Sequence, residues 1–135
     1  MNNKKMKSRV VQSIPSSLRT WFTLHFLVDI AFAIPLLFFP ASFLSFLGWV
    51  AIDPFTARLV GAALVGIGGM SWWMRNEARE AYSVMLRLKL VWSSAAMLAI
   101  ALSLADHWSI IGSVIFAIFA GFFGVWMWFF RKVRR

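Results

Sequence analysis

Four long apolar runs alternate with clusters of basic residues that occupy only every second gap, and this pattern constrains the chain more than any other feature of it. Thirteen of the fourteen lysines and arginines lie between Lys4 and Arg19, between Arg75 and Lys89, or after Phe130, and the fourteenth is Arg58. Basic residues beside membrane spans stay on the cytoplasmic side while the intervening loops cross. The pattern therefore predicts an all-α protein, an integral membrane four-helix bundle, N-in and C-in, with spans at about 21–39, 54–74, 85–105 and 108–130. Residues 1–19 form a basic cytoplasmic tail, 20–130 the transmembrane domain, and 131–135 a second basic cytoplasmic tail.

Composition points the same way. A chain of 135 residues that is 61% hydrophobic and 14% charged has too little polar surface for a water-soluble domain. Its net charge of +9 sits beside the spans, where it meets anionic headgroups of the cytoplasmic leaflet; nucleic acid is not an expected partner. Cysteine is absent, which removes disulfides, thiolate nucleophiles and iron–sulfur ligands. The first apolar run contains Asp29 and lasts about twenty residues, too long for a signal-peptide core, so it reads as a retained span of a cell inner membrane. A thirteen-to-one split of basic residues also excludes antiparallel dual-topology dimers, which need near balance between the two sides.

Local signals punctuate the spans. Ser16 or Ser17 is a candidate N-cap for span one, Pro35 predicts a kink and Pro40 a stop. The segment after Pro40 is too short to cross and reads as an interfacial or partly re-entrant turn. Asp53-Pro54 supplies a cap and a first-turn proline for span two, and Asp106 is the expected cap of span four. Arg87 and Lys89 fall in the first turns of span three, from which both can snorkel to headgroups. Glu77 and Glu80 read as solvated partners of Arg75 and Arg79. Trp21, Trp72, Trp73, Trp126 and Trp128 mark one interface, and Trp49 and Trp108 the other. Met6, Val10 and Ile14 have the spacing of a surface-lying helix, with disorder the alternative.

Asp29 is the leading candidate for chemistry. It falls near the middle of span one, where a carboxylate must be paired, hydrated or protonated, and His25 precedes it by one turn on the same face. The pair is a candidate proton or substrate site; alternatively, Asp29 hydrogen-bonds span one to Ser93 and Ser94 of span three. Arg58 breaks the topology pattern, and its expected partners are lipid phosphate, Asp53 or, with a kink, Asp29. Gly61 and Gly66 in span two, and Ser113, Ala117 and Gly121 in span four, are candidate helix-packing positions. His25 and His107 lie at different depths, so no metal or cofactor is expected.

Residues 40–69, PASFLSFLGWVAIDPFTARLVGAALVGIGG, resemble a pattern found in small uncharacterised four-span bacterial membrane proteins of the DoxX-like kind. The resemblance implies a four-helix bundle with no agreed activity, and it carries over only Arg58 and Gly61 as distinctive positions. The reading that follows is a non-enzymatic accessory or interaction subunit with a membrane-protein partner or a second copy of itself. The alternative is a small proton-coupled transporter or channel that uses Asp29, with an enzyme acting on lipid or quinone behind both.

Overall fold

The structure, a computed structural model, describes residues 14–134, with the backbone alone for Arg134. Four long helices form the bundle: α1 (Ser16–Phe38), α3 (Pro54–Trp73), α4 (Arg79–Asp106) and α5 (Ile110–Arg134). A short α2 (Pro40–Phe46) follows α1, and a 3-10 turn (Met74–Asn76) extends α3. All four long elements are apolar and long enough to cross a membrane, so the chain is a multi-pass integral membrane protein. Its surface agrees: Phe46, Val50, Trp73, Phe38 and Val91 are all exposed, as a hydrocarbon solvent permits.

The helices outrun the predicted spans. α4 starts at Arg79 instead of about 85, because Arg79 and Glu80 are good helix formers and hydropathy marks only where a helix enters hydrocarbon. α1 likewise begins at Ser16; Pro15 takes the cap position, and neither Ser16 nor Ser17 provides a side-chain cap. Asp53 does cap α3, accepting from the N–H groups of Phe55 (3.0 Å) and Thr56 (3.2 Å). The Thr56 hydroxyl also donates to it, and with the two N–H groups holds its pKa below the ordinary carboxylate value. The cap therefore contributes at neutral pH and is lost as pH falls through that lowered value. Asp106 does not cap α5 as expected; it ends α4, and Ser109 accepts from Gly112 N–H at 2.9 Å instead. The reason is spacing, since Ser109 stands three residues before that free amide.

Arg75 and Arg79 satisfy carbonyls at helix ends. Arg75 donates to Trp72 O (2.8 Å) with its guanidinium over the Trp72 ring, and Arg79 reaches across to Val133 O (2.9 Å) near the end of α5. The predicted partnerships with Glu77 and Glu80 do not form among the described residues, because a helix end offers fixed acceptors where an exposed carboxylate offers a weak ion pair. The expectation for Met6 and Val10 lies outside the described residues; Ile14 is not helical and packs on the core.

α1 lies along α3 and α4 along α5, and these are the two extensive helix pairs. They join at the end that carries residues 14–18 and 130–134, through Leu18, Phe22, Tyr82, Leu86, Trp126 and Phe129. Trp126 is wholly buried there and is not an interfacial residue: it stacks on Phe122 and meets Phe22 edge-on. At the other end the pairs diverge, and the buried residues of a smaller core, Ala33, Leu36, Ala57 and Leu64, all belong to α1 and α3, with Phe43 and Leu44 of α2 and Trp92 of α4 packed against them.

Gly61 lets α3 approach α1 closely. A Cβ at Gly61 would lie 3.0 Å from Leu37 and 3.2 Å from the Ala33 carbonyl, whereas one at Gly66 would meet nothing within 4 Å. Gly61→Leu is therefore expected to cost about 1–3 kcal/mol by overpacking and Gly66→Leu much less, as read by equilibrium unfolding in mixed micelles.

Candidate functional site

The predicted pair is formed, and a third group completes it. His25 and Asp29 lie one turn apart on α1, both buried, with His25 Nδ1 2.9 Å from Asp29 Oδ2. Lys89 of α4 enters from the opposite helix pair, fully buried, with its Nζ 3.1 Å from the same His25 Nδ1. Lys89 donates to Ser71 Oγ of α3 at 2.7 Å, and the Ser71 hydroxyl donates to Ile67 O at 2.8 Å. The rings of Phe22 and Trp126 lie 5.0 and 4.8 Å from the ammonium and supply π-faces in place of solvent. The site thus draws on all four long helices.

Lys89 does not snorkel as predicted. It lies ten residues into α4, about 15 Å along the axis from Arg79, and shares a helical face with the buried Tyr82, Met85, Leu86 and Ser93. That spacing was the available signal, because Arg87, two residues earlier, is on the exposed side. Assigning Lys89 to the basic cluster of one membrane face concealed it.

A single atom limits what the cluster can do. His25 Nδ1 can hold a proton or present a lone pair, but not both. With a lone pair it accepts from Lys89; with a proton it can donate to Asp29 and must oppose the ammonium. Asp29 Oδ2, close to Nδ1, has no hydrogen-bond partner among the described residues while that nitrogen presents its lone pair to Lys89. A buried orphan carboxylate oxygen is costly until it gains a proton or a donor.

Packing fixes Asp29 in this position. A Cβ on Gly68 of α3 would fall 2.6 Å from Asp29 Cβ and 2.9 Å from its Oδ2, so the acid occupies space that only glycine leaves open. Ser93 is buried beside the site and Ser94 turns away to bond Leu90 O, so α3 rather than Ser94 receives Asp29.

His25, Asp29 and Ser93 also line the base of a cavity of about 480 Å³ that extends between the diverging helix pairs to the 47–53 segment. Its walls are largely apolar, with Phe32, Leu36, Phe43, Leu64 and Ile118 among them, and Asp53 and Thr56 lie at the far end. Arg58 is not part of the site. It is exposed and its Nε donates to Leu37 O at 3.1 Å, so it closes the C-terminal end of α1 and pairs with neither Asp29 nor Asp53. On α5, Ala117 and Gly121 are exposed, Ser113 bonds Ser109 O, and a Cβ at Gly121 would meet no neighbour within the chain.

Neither a family model, nor a curated protein, nor a solved structure matches the chain.

Removing the Ser71 hydroxyl takes an acceptor from a buried ammonium. Ser71→Ala is expected to destabilise the protein by about 1–3 kcal/mol, while Ser94→Ala, on an exposed face, changes stability little. Chemical unfolding of the two variants side by side in the same micelles is the check.

Proposed function

We propose that this protein is a small proton-coupled membrane transporter or channel in which the His25–Asp29–Lys89 cluster takes up and releases a proton at the base of the cavity. One observation carries this reading: Asp29 Oδ2 is buried, has no hydrogen-bond partner among the described residues while Nδ1 faces Lys89 as a lone pair, and belongs to a side chain that lines an open cavity. A purely structural acid would be expected to spend its oxygens on interhelical donors. The neighbouring Nδ1 can serve either Lys89 or Asp29, so adding or removing one proton switches which contact is a hydrogen bond. Read with the basic-residue pattern, the aromatic-sealed end faces the cytoplasm and the cavity faces the outside.

An accessory subunit is the second reading. It is favoured by the α5 face of Ala117 and Gly121, which is exposed among the described residues and could receive a helix of a partner or of a second copy. The DoxX-like resemblance bears on either reading only through Arg58 and Gly61, which here close a helix end and admit close packing.

The proton reading is tested by infrared difference spectroscopy of the protein in lipid as pH is lowered. A carboxylic-acid band should grow in the wild type, be missing from Asp29→Asn, and move to a different midpoint in Lys89→Met. A wild-type spectrum lacking any Asp29-dependent band would leave the acid as structural glue.

A further inference from the structure

The charge of the cavity identifies a class of ligand. Its charged lining residues are two acids, Asp29 at the base and Asp53 at the far end, together with the titratable His25; among the described residues no lysine or arginine lines it. Lys89 lies behind His25, engaged with Ser71, and does not reach the cavity. Aromatic rings surround the space between the two acids: Phe32, Phe43, Trp49, Trp92, Phe119 and Phe122. A carboxylate at the base of an aromatic-walled cavity matches a positively charged N–H donor on an apolar body. The volume of about 480 Å³ suits a small organic molecule and is too little for a two-chain lipid.

We infer that the cavity binds a small apolar ammonium ion, its N–H donating to the cavity-lining carboxylate of Asp29 and its hydrocarbon part lying against the aromatic walls. This rests on the proposed site but not on proton transfer there. Asp53, ionised and at the far end of the cavity, draws cations toward it. If Asp29 also exchanges a proton, ligand and proton compete for one carboxylate, so binding weakens as pH falls. The titratable groups facing Asp29 are His25 on its own helix and Lys89 from α4; α3 contributes Gly68 and Ser71, and α5 contributes Phe122 and Trp126.

Three probes of one shape and different charge provide the test: 1-naphthylmethylamine, 1-naphthalenemethanol and 1-naphthoic acid, titrated against the protein in lipid nanodiscs with empty nanodiscs as the partition control. The ammonium should bind saturably and at least about tenfold more tightly than the alcohol, as expected for a charge-assisted contact in a buried site, with the acid weakest. Asp29→Asn should remove that preference. If this variant does not fold, Leu64→Trp, which fills the cavity and leaves Asp29 in place, should abolish saturable binding. Equal binding of ammonium and alcohol, or an undiminished preference in whichever variant folds, would overturn the inference. Binding that depends on Asp29 but not on pH would uphold it while removing the proton reading, and an Asp29 band without ammonium binding would do the reverse.

Discussion

A lysine ammonium inside a membrane helix must be given acceptors, and the arrangement of the closed half of this bundle follows from that requirement. Lys89 gains the Ser71 hydroxyl from α3, the His25 ring from α1, and the faces of Phe22 and Trp126 from α1 and α5. Removing one partner from a buried charge costs far more than an ordinary contact. The four long helices are therefore held to one mutual arrangement at this level by chemistry, where apolar packing in hydrocarbon alone would specify little. The aromatic core beneath the cluster excludes the water that would otherwise solvate it.

The two ends of the bundle solve different problems. Near residues 14–18, large rings and branched chains from α1, α4 and α5 fill the space between the helix pairs. Toward α2, the buried core is formed by α1 against α3, where Gly61 permits close approach, with Trp92 of α4 at its edge, and the gap to α4 and α5 becomes the cavity. Asp29 lies at the transition, with packing against Gly68 on one side and open space on the other.

Much of this was legible in the sequence, and the parts that were not share a cause. Hydropathy gave four spans, the Asp53-Pro54 step gave a capped helix start, and the four-residue spacing of His25 and Asp29 placed them together. Each of these depends on residues close in the chain. The positions of Lys89, Arg58 and Arg79 depend on hydroxyls, carbonyls and rings 18 or more residues away, which local pattern does not encode. Lys89 was further hidden because it extends a basic cluster that topology already explains. Trp126 was hidden in the same way by its neighbour Trp128, which is exposed, although Phe122, Phe129 and Val133 share its face.

His25, Asp29, Gly68 and Ser71 belong to the α1–α3 pair, whereas Lys89 belongs to the α4–α5 pair. Both hydrogen-bonding contacts of the ammonium therefore cross the seam between these two units, which the apolar core near residues 14–18 also joins. They act as a latch on that seam. A proton or ligand that changes how His25 meets Lys89 alters the force between the units and leaves the packing inside each intact, so an event at one buried atom is delivered to the protein as a change in how tightly its two halves are held.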